Sequence, residues 1–295
     1  MTNPGSLPRY PGSPGPSPQA PEAAATALSL RGLTKRFGNA VAVDNLNLDI
    51  PTGSMYGIVG PNGAGKTTAL TMATGLLEPT SGNAWICGLP MWDQATEEEV
   101  MAAKQRYGLL ADGLPIFDRL TAREYLEYLG HLRGMDPQVI AERADELLEA
   151  LDLAGTEGKY IVDFSAGMTK KILLAGAMLH GPDVLILDEP FEAVDPVSSQ
   201  VIRDILRHFV AAGGTVVLSS HVMELVEGLC DHVAIIAEGR CLRAGTIDEV
   251  RQGQPLNDVF VQLVGGRSLS QGSFGWLGSG NSPRPTEDHP EEDRK

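Results

Sequence analysis

The stretch GPNGAGKTT, residues 60–68, follows a short apolar run, MYGIVG (55–60), and leads into ALTMATGLL (69–77). It fits G-x-x-x-x-G-K-[ST] at Gly60, Gly65, Lys66 and Thr67, with Pro61, Asn62, Gly63, Ala64 and Thr68 completing the loop. The setting gives the pattern its meaning: a strand, then the loop, then a helix predicted over about 66–76. Glycines let backbone wrap closely around phosphate. A helix N-terminus adds roughly half a positive charge there. Lys66 is placed to reach β- and γ-phosphates, and Thr67 to reach a magnesium ion.

Downstream, VLILDEP (184–190) is four apolar residues ending in Asp188 and Glu189. An apolar run covered on both faces suits a parallel sheet, whose carboxyl edge is where open α/β folds bind ligands. Asp188 suits a magnesium ion through water, and Glu189 suits orienting or deprotonating an attacking water. A second small-residue turn, DFSAGMTKK (163–171), runs into another helical pattern. Two readings stay open for it: Ser165 as an ordinary helix N-cap, or the free N–H groups of that turn as a second anion site.

Other segments supply the frame. ALSLRGLTKRF (27–37) and VAVDNLNLDI (41–50) read as strands turning at Gly38-Asn39. NAWICG (83–88), RYGLLA (106–111) and GTVVLSS (214–220) read as strands, and VAIIAEGRCLRAG (233–245) as a hairpin turning at Glu238-Gly239. From 121 the period becomes helical. Thr121 and Glu124 form a capping-box signature, followed by Tyr125, Leu129 and Leu132. A second helix over about 138–153 would bury Ile140, Ala144, Leu147, Leu148 and Leu151.

Composition bounds the rest. The chain has 295 residues, 42% hydrophobic and 21% charged, an ordinary globular balance. No stretch approaches the ~18–20 apolar residues of a membrane span, and no signal peptide is visible. Cys87, Cys230 and Cys241 lack metal-like spacing and read as reduced thiols. A net charge of −15 argues against a nucleic-acid partner. Residues 93–163 hold sixteen acidic against seven basic residues, either a solvated helical surface or a docking face for a basic partner. Seven prolines within the first 21 residues mark 1–26 as an unpacked segment, and 266–295 as a Gly/Ser-rich acidic tail in which only Trp276 looks able to dock. The folded region is expected over 27–265.

Taken in order, these motifs resemble the ATP-binding subunit of an ABC transporter of exporter type, over about 28–262. The resemblance implies an α/β fold: a P-loop NTPase core, an antiparallel β subdomain, and an inserted all-helical signature subdomain at about 93–180. FSAGM (164–168) lies where that family has its signature, and FEAVDP (191–196) matches the loop after the catalytic Glu, with Asp195 as its dimer-facing residue. LSSHVMEL (218–225) supplies a switch histidine, His221. Phe37 matches the aromatic that stacks on adenine, though a strand-end aromatic also suits core packing. GLLADGLPIFDRLT (108–121) matches the lining loop, with Asp112 toward the magnesium ion.

The family implies ATP and Mg2+ as cofactors. It implies catalysis by Lys66, Glu189 and His221, and metal binding by Thr67, Asp188 and Asp112. It also implies two partners: an integral-membrane permease, and a second ATP-binding subunit, identical or homologous. Ser165 and Gly167 of one subunit would then face the γ-phosphate held by Lys66 of the other. The expected location is cytoplasmic, peripheral on the inner face of the cell membrane. Two positions depart from the pattern. Asp112 stands where Gln or Glu is usual, and Ala166 where Gly is usual; a need for φ > 0 would strain an alanine. These departures leave an alternative, a permease-free ATP switch with slow hydrolysis.

Overall fold

The computed structural model describes residues 25–93, 95–111, 113 and 116–265. Asp112, Trp276 and nearly all of both expected tails lie outside the described residues. In chain order the first elements are β1 (Thr26–Phe37), β2 (Ala40–Pro51), β3 (Met55–Val59), α1 (Lys66–Ala73), β4 (Ser81–Ile86), β5 (Leu89–Pro90), α2 (Glu97–Arg106) and β6 (Tyr107–Leu110). Then come α3 (Ala122–Leu132), α4 (Pro137–Ala150), α5 (Ala166–Met178), β7 (Val184–Leu187), α6 (Pro196–Ala211) and β8 (Thr215–Ser220). The chain continues through α7 (Met223–Leu229), β9 (His232–Ala237), β10 (Arg240–Thr246), α8 (Ile247–Arg251) and α9 (Leu256–Val264).

Two sheets result. One is antiparallel, in the order β2-β1-β4-β5; the other runs β10-β9-β3-β8-β7-β6 and is parallel except for the β10 edge. Period-2 alternation divides the buried strands between two cores. Val184 and Ile186 of β7 pack with β1, β2 and α1, whereas Leu185 and Leu187 face the helices α3 to α6. That is why VLIL is uniformly apolar: both faces are covered.

Local signals place most elements. Gly38 turns β1 into β2 at φ 58°, and Glu238 and Gly239 turn β9 into β10 at φ 50° and 75°. Thr121 caps α3 by accepting from Glu124 N–H, while the Glu124 carboxylate accepts from Thr121 N–H at 2.8 Å. A threonine cap of this kind is worth ~0.5–2 kcal/mol. The same box starts α2 at Thr96 and Glu99. Asp136 caps α4, with Pro137 at its first position. Helix α1 stops at Ala73, three residues short of the expected end; Thr74 bonds back to Leu70 O, and Gly75 turns at φ 77°.

The range 93–180 is not helical throughout. Strand β6 lies inside it and forms the far edge of the parallel sheet, paired with β7. A Cβ at Gly108 would sit 1.9 Å from Ala177 O, so α5 presses directly on this strand. Among the elements between 93 and 180, the unbroken helical part begins at Ala122.

His180, just past α5, sits with Nε2 3.1 Å from the Tyr107 carbonyl oxygen. Burial, and then the nearby Arg133 and Arg143 charges, push its pKa down from 6.5 to about 4. In that window the unfolded chain binds a proton that the folded one refuses, so stability falls as pH drops from 6.5 toward about 4. The His180→Gln protein, whose amide still reaches Tyr107, should therefore lose less unfolding free energy between pH 7 and pH 5 than the wild type. Equal losses in urea titrations would assign the acid sensitivity elsewhere.

Candidate active site

Parallel register assembles the site. Val59 of β3 pairs with Ser220 of β8, and Leu187 of β7 pairs with Leu218 of β8. One step further along each strand come Gly60, His221, Asp188 and Ser219, all on the carboxyl edge of the sheet. Between β3 and α1 the loop turns at Gly63 (φ 81°) and Gly65 (φ 101°). A Cβ at Gly65 would lie 2.5 Å from Ala42 O, and one at Gly60 2.1 Å from Ile236 O, so neither position admits a side chain. No side chain caps α1. Its N-terminus opens on a cleft of about 510 Å³, lined by Asn62 through Thr68, Ala42, Glu189, Glu192 and His221.

The charged groups at the cleft are tied together. The Lys66 ammonium, only 6% exposed, donates to Gly60 O at 2.8 Å and lies 3.6 Å from Glu189 Oε1. Glu189 Oε2 is 3.0 Å from His221 Nδ1. Glu189 adopts φ 46°, a left-handed conformation rare for this residue type. Its backbone is held on both sides: N–H donates to Ser219 Oγ at 3.0 Å, and C=O accepts from Lys170 Nζ at 3.2 Å. Ser219 Oγ in turn donates to Asp188 Oδ1 at 2.5 Å.

Asp188 Oδ2 is buried with no hydrogen-bond partner among the described residues. A buried carboxylate oxygen left this way is costly unless a cation completes it. No group of three metal-ligating side chains occurs among the described residues. That donor set fits Mg2+, which is held by one or two protein oxygens while water and substrate phosphates supply the rest. Thr67 lines the same cleft; Asp112 lies outside the described residues.

Other expected site residues stand apart from this cleft. Ser165 is exposed and caps α5, accepting from Met168 N–H at 3.3 Å. Gly167 is buried against α6, where a Cβ would meet Asp195 Oδ2 and Ser198 Oγ at 2.7 Å each. Ala166 is the first residue of α5 and has no positive φ, so the alanine there is unstrained. Asp195 caps α6 through Val197 N–H at 3.0 Å and Ser198 N–H at 2.9 Å; the Ser198 bond foremost holds its carboxyl below the usual range. Phe37, 52% exposed, ends β1 with the Lys35 ammonium 5.3 Å from its ring centre. Ser219, Lys170 and Glu192 were not singled out from the sequence. For Ser219 a signal existed, a polar residue breaking the apolar run of VVLSS at the sheet edge.

A glycine loop at the carboxyl edge of a parallel sheet, a buried lysine, and a carboxylate pair at its mouth define the class: a phosphate-loop α/β protein built for nucleoside triphosphates. Residues 43–192 match the family model described as "ABC transporter", and the chain belongs to that family as an ATP-binding subunit and ATPase. It is 37% identical over 242 residues to the Nod factor export ATP-binding protein I of Cupriavidus metallidurans, spanning 81% of this chain and 77% of that one. Identity to the ABC transporter ATP-binding protein NatA of Bacillus subtilis is 36% over 250 residues, 82% of this chain and 100% of NatA. With the daunorubicin resistance ATP-binding protein DrrA3 of Streptomyces coeruleorubidus it is 36% over 242 residues, 81% and 75%. Among solved structures, an ATP-binding subunit of an ABC transporter superposes with TM-score 0.73 at 26% identity, covering 81% of this chain and 99% of that one. A dimeric post-hydrolysis ATP-binding cassette shares the fold, with TM-score 0.68 at 23% identity over 75% of this chain and 98% of that one.

Ser219 links the two carboxylate residues, so its loss is measurable apart from any ligand. Ser219→Ala should lower the unfolding free energy by about 1–3 kcal/mol in Mg2+-free buffer, the cost of stranding a buried polar partner. ATP turnover should fall roughly tenfold in the same protein, the effect of ~1.4 kcal/mol on a barrier. Wild-type values for both would show that the hydroxyl holds nothing in place.

Proposed function

We propose that the chain is the ATP-hydrolysing motor of an exporter. Two subunits would close head to tail around ATP, and hydrolysis would part them. The observation that carries this reading is the position of α5. Its N-terminus presents exposed Ser165 and Ala166, yet Ser165 and Gly167 line no part of their own chain's phosphate cleft. A helix start is a ready anion site. The cleft it serves is then the partner subunit's, with Ser165 and Gly167 toward the γ-phosphate on the partner's phosphate loop.

Within one chain the remaining roles follow from geometry. The loop Gly60–Thr68 wraps the phosphates, and Lys66 turns from Gly60 O toward the β- and γ-oxygens. Glu189, held by Ser219 and Lys170 and paired with His221, orients water for in-line attack and takes its proton. His221 reaches the γ-phosphate from the end of β8. Thr67 and Asp188, with Asp112 from the lining loop, would hold Mg2+, which neutralises charge on the phosphate oxygens. Phe37 stacks on adenine.

Among the described residues no helix is long and apolar enough to cross a membrane; in this reading a separate permease supplies the membrane path. The exposed apolar face formed by Phe117, Tyr128 and Leu132, with the first two rings edge to face at 4.8 Å, supports docking beside the lining loop and α3. The names of two relatives, Nod factor export and daunorubicin resistance, support an exporter. A cytoplasmic location on the inner face of the membrane follows from that assignment. Strain at Ala166 lends nothing to a slow, permease-free switch, because that residue is simply helical.

Glu189→Gln should cut turnover by ~10²–10⁴-fold and accumulate an ATP-bound dimer on light scattering. A monomer at saturating ATP would count against the shared site. In a second test, Lys66→Ala and Ser165→Arg proteins, each inactive alone, are mixed. One intact composite site per heterodimer should restore part of the activity; a mixture as inactive as its components would place Ser165 outside any shared site.

A further inference from the structure

The β9–β10 turn was given no part in the chemistry above, yet it lies against the phosphate loop. Gly239 donates its N–H to Ala64 O at 3.0 Å, and its carbonyl accepts from Asp44 N–H at 2.9 Å. At φ 75° it takes a conformation that favours glycine. A Cβ there would sit 2.8 Å from Ala42 O and 2.9 Å from Val43 Cα. From the loop side, a Cβ at Gly65 would meet the same Ala42 O at 2.5 Å and Gly239 Cα at 3.5 Å. Three backbones therefore meet at close range, with the Val43 side chain beside them: the phosphate loop, the turn, and the start of β2.

A charged latch closes this junction. Arg240 donates from Nε at 2.9 Å and from its terminal nitrogen at 2.5 Å to Asp44 Oδ2. Strand β2 begins at Ala40, which pairs directly with Phe37 at the tip of the hairpin. The junction thus fixes the phosphate loop, in one sheet, relative to the exposed aromatic tip of the other. An exposed ion pair contributes little to global stability, so holding the fold together is a weak account of Arg240 and Asp44. Setting a distance is a better one.

We propose that the Glu238–Gly239 turn, latched to β2 by Arg240 and Asp44, is a spacer that matches the separation of Phe37 and the phosphate loop to one class of ligand. That class is a nucleoside triphosphate, engaged at base and phosphates together. These are positioning residues, and the inference rests on the roles given above to Phe37 and the loop.

The test compares ATP with inorganic tripolyphosphate, which engages the loop alone, by calorimetric titration of the full-length protein. Arg240→Gln and Asp44→Asn should each weaken ATP about three- to fivefold, within the reach of one exposed ion pair. Tripolyphosphate should stay within about twofold, and the nucleotide-free melting temperature within about 2 °C. Exchanging the charges, Asp44→Arg with Arg240→Asp, should restore ATP affinity. Gly239→Ala deforms the loop itself and should weaken both ligands by about tenfold or more. Phe37→Ala serves as the reference and should lower ATP affinity without touching tripolyphosphate. If Phe37→Ala does so while Arg240→Gln and Asp44→Asn leave ATP unchanged, or weaken both ligands equally, the spacer is refuted and the nucleotide site stands. If Phe37→Ala changes neither ligand, the base-stacking role fails and takes the spacer with it.

Discussion

Parallel pairing of β3, β8 and β7 is the constraint on which the rest depends. Because Val59 pairs with Ser220 and Leu187 with Leu218, the residues that follow each strand emerge side by side. Lys66, Asp188, Glu189, Ser219 and His221 are spread over more than 150 positions of chain, yet they meet within a few ångströms at one sheet edge. A slip of one residue in any of these strands would turn its side chains to the opposite face. It would also break the Asp188–Ser219 hydrogen bond. Because VLIL and VVLSS are buried throughout, such a slip would leave buried Asp188 without the Ser219 hydroxyl, a costly loss for a carboxylate out of water.

Charge at this edge is arranged as a chain of contacts. Buried Lys66 faces Glu189, Glu189 faces His221, and Ser219 passes one hydrogen bond to Asp188 while receiving another from Glu189 N–H. Opposite charges at close range offset the cost of taking each out of water, which an isolated buried ion could not do. The left-handed φ of Glu189 is tolerated because both of its backbone polar groups are bonded. Asp188 Oδ2 is buried without a hydrogen-bond partner among the described residues, and it belongs to the carboxylate best suited to a hard cation.

The second small-residue loop follows a different logic. Gly167 is glycine because α6 passes at contact distance, with Asp195 and Ser198 in the way of any side chain. Ser165 caps α5 and leaves the helix start facing outward. The two readings that the sequence left open for this turn are therefore compatible. A serine can cap its own helix while the remaining N–H groups address an anion from outside. Asp195, one helix away, is likewise occupied as a cap, which fixes the direction in which the loop after Glu189 leaves the site.

Much of this molecule was legible in one dimension. The phosphate loop, the apolar strands, the turn at Glu238-Gly239 and the Thr121–Glu124 cap all rest on interactions spanning a few residues, and local chemistry suffices to read them. The β6 strand was legible as well, but its place at the edge of the parallel sheet was not, since pairing with β7 joins segments more than 70 residues apart. Tertiary structure alone decided that Ser219 bridges Asp188 and Glu189, that Lys170 reaches Glu189 O, and that Gly239 packs beneath the phosphate loop. It also decided that α5 starts outside its own chain's cleft. Each of these depends on register and on the close approach of backbones distant in sequence, which no local propensity encodes.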